Sequence, residues 1–207
     1  MIGEIMVKVK GEYRKSGGRD IVSSFKNIDL QPGDIIVYKN KGFPSWVIRN
    51  FETHDEKTHL GLYMGNGKVG EAIHYTGLPL NKWGTVEVND FSDSLKMAKG
   101  FEVYRPKVSD KIKENAINFV RERQGKINRY DSWNYAKHKV NKILGTKFKI
   151  KPRKNNKKLS CATLATRAYG HQDYSIADIP ETRLAMATDI KENDNLDYRY
   201  KIDFPNA

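Results

Sequence analysis

The sequence predicts a single α+β domain, and three observations lead to this prediction. A chain of 207 residues is long enough for one well-packed domain and short for two. Up to about residue 106, apolar residues occur in short alternating or β-branched runs between Gly- and Pro-containing turns, as is typical of β-strands. Beyond residue 108 the apolar spacing becomes three and four residues, which is typical of helices.

The first half is predicted to be rich in short β-strands. Gln31-Pro32-Gly33-Asp34 has the composition of a turn, and the β-branched run after it is typical of a buried strand. Gly11–Asp20 is polar and contains two glycines in succession, so we predict a loop there. Ser45–Phe51 is interpreted as a short helix. The predicted strands are Ile5–Val9, Ile35–Tyr38, two runs within Thr58–Ala72, Val86–Val88, Phe101–Pro106 and a terminal strand at Tyr198–Phe204.

The second half is predicted to be mainly helical. Ser109 is a suitable N-cap for one helix, which Gly125 would end. Ser160 is a suitable N-cap for another, Cys161–Tyr169, with Gly170 as its stop. The other predicted segments are a helix at Asp131–Leu144, a basic loop at Lys147–Lys158 with an extended piece at Phe148–Ile150, and a short helix from Pro180 to about Ile190.

The stretch Thr58–Ala72 is predicted to form a β-hairpin around which the rest of the chain is organised. Its turn is Gly65-Asn66-Gly67, because Gly and Asn tolerate the positive φ of a tight turn. Glu71 lies early in the return strand. In the first strand, the period of two places Leu60, Leu62 and Met64 on one face and His59, Gly61 and Tyr63 on the other.

The net charge of +12 is concentrated in one part of the chain. Between Ser132 and Gln172 there is no Asp or Glu, whereas Lys and Arg together occur eleven times. This block is compatible with a solvated face, with a contact to an anionic polymer through Lys137–Lys158, or with a field on a nearby site. Nucleic acid is a weaker alternative, since Tyr130 and other nearby aromatics fit a helix core equally well.

Several classes of protein are disfavoured by the sequence. The single cysteine cannot form an internal disulfide, and one Cys with scattered His offers no metal-ligand spacing, so we expect no metal and no cofactor. Met1–Lys10 lacks the apolar run of a signal peptide, and no stretch is long and apolar enough to cross a bilayer. We therefore expect a cytoplasmic protein, with export by another route left open.

Three residues are candidates for covalent catalysis. Cys161 is expected in the first turn of its helix, where the helix dipole and nearby cations favour a thiolate; the alternative is a small buried apolar residue. His59 has the properties of a general base, and His54, His74, His138 and His171 compete for that role. Glu71 would orient the imidazole as a triad carboxylate does, or would be a solvated strand residue.

Short pieces of the chain, taken in order, resemble the circularly permuted papain-like cysteine hydrolases of the NlpC superfamily, specifically the YiiX/YaeF-like branch. The pieces lie between Pro32 and Tyr169 and so span most of the chain. They are Pro32-Gly33-Asp34-Ile35-Ile36, Ser45-Trp46-Val47-Ile48-Arg49, Thr58-His59-Leu60-Gly61-Leu62-Tyr63, Gly70-Glu71-Ala72, Val103-Tyr104-Arg105-Pro106, Gly125-Lys126 with Tyr130-Asp131, and Ser160-Cys161-Ala162-Thr163-Leu164 with Ala168-Tyr169.

The resemblance implies a circularly permuted papain-like (NlpC-type) α+β fold. An antiparallel sheet or barrel would pack against helices, and the histidine strand would precede the cysteine helix. It also implies one domain over residues 1–207, with a basic insertion at about 146–158 and a C-terminal extension from about 171. The implied catalytic triad is Cys161, His59 and Glu71, with Cys161, Ser160, Tyr38 and Tyr130 in oxyanion or substrate binding.

The activity implied by the resemblance is that of a cysteine amidase or peptidase acting through a thioester acyl-enzyme. The expected substrates are cell-wall peptides or other small amides, and a lipid or N-acyl hydrolase or transferase is the alternative with the same triad. A non-catalytic anion-binding module is the alternative from another class.

Two features depart from the family: Ala162-Thr163 replaces its usual Ser-Glu after the cysteine, and Lys147–Lys158 is not part of its pattern.

Overall fold

A computed structural model describes most of the predicted β-rich half and parts of the helical half. The described residues are 5–9, 12–16, 28–40, 59–74, 83–96, 98–129, 160–171, 173–176, 190 and 193–204. Within these ranges the strands are β1 (Ile5–Val9), β2 (Glu12–Ser16), β3 (Ile35–Asn40), β4 (His59–Gly65), β5 (Lys68–His74), β6 (Trp83–Asp90), β7 (Ala98–Pro106), β8 (Ile127–Arg129) and β9 (Leu196–Asp203). The helices are α1 (Phe91–Leu95), α2 (Asp110–Arg121) and α3 (Cys161–Gly170).

The described strands form one antiparallel sheet against which helices pack, so the predicted α+β class is confirmed. The strand order is β2-β1-β9-β7-β3-β4-β5-β6-β8. The chain thus returns at β9 to pair with both β1 and β7. Among the described residues, no helix combines the length and the apolar character needed to cross a membrane.

Strand β4 separates two apolar clusters, as its alternation predicts. Leu60, Leu62 and Met64 lie in a helix-side cluster with the buried faces of α2 and α3. Tyr63 lies in a second cluster with Tyr38 and aromatic residues of α1 and β7. The two faces of one strand are therefore both buried, and the side chains of His59 and Tyr63 belong to the second face.

The hairpin between β4 and β5 turns at the predicted residues. Gly65, Asn66 and Gly67 all have positive φ, at 87°, 52° and 70°. Only glycine, and to a lesser degree asparagine, adopts such φ values readily. The turn fixes the register that pairs Gly61 with Glu71 and thereby brings the return strand beside His59.

One predicted loop is wrong, because Gly11–Asp20 contains strand β2. Its five residues pair with β1, with Val9 opposite Glu12. The polar sequence Glu-Tyr-Arg-Lys-Ser lacks strict alternation, so the period of two did not reveal it, and backbone pairing with β1 decides its structure.

The predicted strand Ile5–Val9 has the same bounds as β1, and the other predicted elements that are described agree in type and differ at one or both ends. α2 ends at Arg121, before the predicted stop at Gly125, and β6 and β7 begin earlier than predicted. Helix α1 and strand β8 were not predicted. The predictions for Ser45–Phe51, Asp131–Leu144 and Lys147–Lys158, and all of the predicted 180–190 helix except Ile190, lie outside the described residues.

A buried ion pair and a tyrosine hold the turn before β3 against the rest of the domain. Asp34 has no exposed surface, and Arg105 contacts its two carboxylate oxygens through Nε and Nη2, each at 2.9 Å. Tyr169, near the end of α3, donates a hydrogen bond to the carbonyl of Gly33 at 2.5 Å. These contacts fix β3 and the far end of α3 relative to each other, which constrains where the start of α3 lies.

Candidate active site

Helix α3 begins with the predicted cap and places Cys161 at its first position. The backbone of Ser160 is extended, and its hydroxyl accepts a hydrogen bond from the N–H of Thr163 at 3.1 Å. The same hydroxyl lies 2.8 Å from Thr163 Oγ1. The N-terminal position matters because free N–H groups and the helix dipole stabilise negative charge there.

The sulfur of Cys161 meets the imidazole of His59. The two side chains lie close enough for each to shift the pKa of the other, and the backbone N–H groups of Leu60 and Ala162 also act on the sulfur. Burial raises the pKa of the Cys161 thiol, but the charge and hydrogen bond of His59 and the two backbone groups outweigh burial, so the pKa is lowered. Cys161 is partly buried and packs against the helix-side cluster.

The other side of the imidazole faces Glu71. Nε2 of His59 lies 3.2 Å from Oε1 of Glu71, which leaves Nδ1 for the sulfur. Because Glu71 is paired with Gly61, it lies diagonally from His59 on the same face of the sheet, within reach of a long side chain. The three residues predicted to form a triad are therefore brought together in the order sulfur, imidazole, carboxylate.

The protonation of His59 follows from its position between two acids. Burial lowers its pKa, but the charges of Cys161 and Glu71 and its hydrogen bonds to them raise it to about 10. The raised pKa of the imidazole and the lowered pKa of the thiol favour the same state. This state is a thiolate paired with an imidazolium, whose other N–H faces a carboxylate.

Glu71 interacts with Ser94 and Asn89 as well as with His59. The residue is 3 % exposed, and Ser94 Oγ donates a hydrogen bond to Oε2 at 2.7 Å. Burial raises the pKa of Glu71, whereas hydrogen bonds from His59, Ser94 and Asn89 and the charge of His59 lower it overall. The carboxylate is thus kept ionised although it is almost completely enclosed.

Tyr38 supports the imidazole from the neighbouring strand. It is paired with His59 in the β3–β4 register, and the two rings stack with 5.7 Å between centroids and 29° between planes. Its buried hydroxyl meets the geometry of a hydrogen bond with no described residue, although Ser94 and Glu71 lie close enough to influence its pKa. Burial and the charge of Glu71 raise that pKa well above the ordinary value, so Tyr38 stays neutral.

Gly61 makes room for the Tyr38 ring. A Cβ at Gly61 would lie 2.6 Å from Cγ2 of Val69 and 3.2 Å from Cε2 of Tyr38. The distance to Val69 is too short for any Cβ, so the strand needs glycine at position 61. Close packing here keeps the aromatic ring against the imidazole.

The residues predicted for oxyanion or substrate binding have different positions. The backbone N–H of Cys161 lies at the start of α3, where it is available to an oxyanion. The hydroxyl of Ser160 is used in the helix cap, and Tyr38 lies buried behind His59. Tyr130 lies outside the described residues, as does the basic segment Lys137–Lys158. The predicted roles of Tyr130 and of the basic segment stay predictions.

Sequence reasoning missed Ser94, which donates a hydrogen bond to Glu71, and Asn89, which lies close enough to lower the pKa of Glu71. Asn89 lies near the end of β6, and Ser94 lies on α1 directly after it. The spacing of Phe91 and Leu95 at i, i+4 after Asn-Asp was a signal for a short helix. That signal would have predicted α1, but not that its serine faces Glu71.

Comparisons with known proteins leave the site to be interpreted from its geometry. No family model matches the chain, and no curated protein matches it. Among the described residues, no three His, Cys, Asp or Glu side chains are grouped so that they would hold a metal ion.

Proposed function

We propose that the protein is a cysteine hydrolase of the amidase or peptidase type, with Cys161 as nucleophile, His59 as general acid and base, and Glu71 as orienting carboxylate. The observation that carries this proposal is the continuous chain of contacts from Cys161 through His59 to Glu71, with Cys161 at a helix N-terminus. We further propose that the α+β architecture is a circularly permuted papain-like one. Supporting features are an antiparallel sheet packed against helices and a histidine strand that precedes the cysteine helix.

The first half of the proposed reaction forms a thioester. The Cys161 thiolate attacks the carbonyl carbon of an amide, and the developing oxyanion is stabilised by the N–H of Cys161, a contribution of about 3 kcal/mol for one such donor. The imidazolium of His59 then gives its proton to the leaving nitrogen as the C–N bond breaks. The products are a free amine and an acyl-enzyme with neutral His59.

The second half releases the acyl group. Neutral His59 takes a proton from water, whose oxygen attacks the thioester carbon, and the C–S bond breaks. A carboxylic acid leaves, and the thiolate and imidazolium are restored. Glu71 remains ionised throughout, because its role is to face the charged ring rather than to accept the proton.

The proposed substrates are peptide or small amide bonds, with cell-wall peptides as the first class to test. The basis is the resemblance of the motifs around Cys161, His59 and Glu71 to permuted papain-like hydrolases. An amine acceptor in place of water would give acyl transfer with the same residues. The two outcomes differ only in the product, a free acid or a new amide.

The proposal is tested by combining thiol labelling with product analysis. Iodoacetamide should label the single cysteine of the wild type rapidly below pH 8, and Cys161→Ala should abolish both labelling and turnover of a panel of cell-wall peptides and acyl amides. His59→Gln should slow labelling, whereas the matched control His171→Gln should leave the rate unchanged, since His171 is exposed at the other end of α3. Full turnover by Cys161→Ala, or a wild-type thiol that reacts only above pH 8, would refute the proposal.

A further inference from the structure

Ser94 connects the short helix α1 to the carboxylate that faces His59. We infer that Ser94, assisted by Asn89, is a positioning residue: it fixes Oε2 of Glu71 so that Oε1 stays directed at Nε2 of His59. The inference rests on the proposed function of Cys161 and His59 and adds to it the group that sets their charge state. Its basis is the 2.7 Å hydrogen bond from Ser94 Oγ to a carboxylate that is 3 % exposed.

The helix that carries Ser94 is anchored in the second apolar cluster. Phe91 and Leu95 are each 4 % exposed. The Phe91 ring meets Phe101 edge to face, with centroids 5.2 Å apart, and meets Tyr63 in a similar arrangement at 6.2 Å. These contacts fix the backbone of α1, so Ser94 presents its hydroxyl to Glu71 from a rigid support.

The two oxygens of the Glu71 carboxylate have different partners. Oε1 faces His59, and Oε2 accepts a hydrogen bond from Ser94, while Asn89 lies close enough to lower the pKa of the carboxyl. A buried carboxylate that loses a donor is less stable as an anion. Without Ser94, Oε2 would lose its hydroxyl donor, and the carboxylate would no longer be held with Oε1 directed at Nε2 of His59.

Loss of the Ser94 hydrogen bond would change the pKa of His59 and, through it, the pKa of Cys161. A carboxylate that no longer faces Nε2 stabilises the imidazolium less and so lowers its pKa, and a less stable imidazolium raises the pKa of the thiol. Ser94 touches neither the sulfur nor the expected position of a substrate carbonyl. Its contribution should therefore appear in the charge state of the site rather than in substrate affinity.

The experiment compares Ser94→Ala with Ser94→Thr and with the matched control Ser92→Ala. Alanine removes one oxygen and favours helix, threonine keeps the hydroxyl, and Ser92 is a serine of the same helix for which no hydrogen bond is found among the described residues. The first readout is the rate of iodoacetamide labelling against pH. The second is the titration of the His59 ring, measured by ¹⁵N NMR in the Cys161→Ala background. The His59 signals are identified as those that disappear in the His59→Gln variant.

We expect Ser94→Ala to slow labelling at pH 7 by about fivefold, to move its midpoint to higher pH and to lower the pKa of His59. Ser94→Thr and Ser92→Ala should retain the wild-type midpoint and titration. Wild-type behaviour of folded Ser94→Ala in both readouts would overturn the inference. A wild-type thiol of ordinary reactivity would instead refute the proposed function, and the histidine titration would still decide the role of Ser94.

Discussion

His59 and Glu71 face each other across the β4–β5 hairpin, with 3.2 Å between Nε2 and Oε1. Their side chains differ in burial, since that of His59 is 20 % exposed and that of Glu71 only 4 %. The carboxylate is therefore the fixed member of the pair, and the imidazole is the member that solvent and substrate can reach. This asymmetry suits a ring that exchanges protons and an anion that does not.

Replacing Glu71 by glutamine should weaken the thiolate. The neutral amide retains the shape of the side chain but cannot stabilise an imidazolium, so the pKa of His59 falls and the pKa of Cys161 rises. We expect labelling by iodoacetamide at pH 7 to slow by about 10- to 100-fold, which corresponds to one hydrogen bond between charged groups.

The matched control for Glu71→Gln is Glu114→Gln, which removes the same charge from an exposed position on α2. Its labelling rate should equal that of the wild type. Equal rates in Glu71→Gln and Glu114→Gln would show that the carboxylate next to His59 does not support the thiolate.

The pH dependence of turnover should be bell-shaped and broad. As pH falls through the lowered pKa of Cys161, the thiolate gains a proton and activity is lost. As pH rises through the raised pKa of His59, about 10, the imidazolium loses the proton that it gives to the leaving group. Activity should therefore be greatest between the lowered pKa of Cys161 and the raised pKa of His59.

The measurement for this prediction is kcat/KM from pH 5 to 11 on whichever amide is turned over. Labelling by iodoacetamide needs only the thiolate, so it should follow the acid limb and should not decline on the alkaline side. A decline of turnover already at pH 7 to 8 would contradict the raised pKa of His59.

The elements that hold the site could be predicted because their signals are local. Alternation from His59 to Met64, the Gly65-Asn66-Gly67 turn and the Ser160 cap each depend on neighbouring residues, and all three are confirmed. Backbone sterics and capping act over a few residues, so sequence patterns report them directly.

The meeting of the elements could not be predicted from residue patterns alone. Five histidines were available for Cys161, and only the packing of α3 against β4 decides between those described. Ser94 was hidden for a similar reason, because its contact with Glu71 joins residues on α1 and β5 that no local period relates. β2 was missed because pairing with β1, rather than its own composition, makes it a strand.

Replacing Arg105 by alanine should destabilise the fold strongly. The change leaves the carboxylate of Asp34, which has no exposed surface, without its bidentate partner. Removing one partner of a buried ion pair costs about 3–5 kcal/mol, so the free energy of unfolding should fall by roughly that amount. Urea unfolding followed by circular dichroism provides the measurement.

Arg199→Ala is the control for this prediction. Its side chain is 39 % exposed and contacts exposed Asp29 at 3.3 Å, so the loss should be at most about 1 kcal/mol. Similar losses in the two variants would mean that the Asp34–Arg105 pair contributes no more than a surface contact.

Replacing Ser160 by alanine separates the cap of α3 from the chemistry of Cys161. The hydroxyl accepts the N–H of Thr163, and loss of such a cap costs about 1 kcal/mol of folding free energy. Ser109→Ala at the start of α2 is a matched control, because that serine occupies the N-cap position without a side-chain cap hydrogen bond. Its cost should be clearly smaller in the same urea titration.

Labelling of Cys161 in Ser160→Ala then tests how the thiolate is stabilised. The backbone N–H groups of Leu60 and Ala162 and the imidazole of His59 remain in place, so the labelling rate at pH 7 should change by less than about threefold. A large loss of labelling with little loss of stability would mean that the Ser160 hydroxyl itself supports the sulfur. In that event the predicted role of Ser160 in the chemistry would gain support at the expense of its role as a cap.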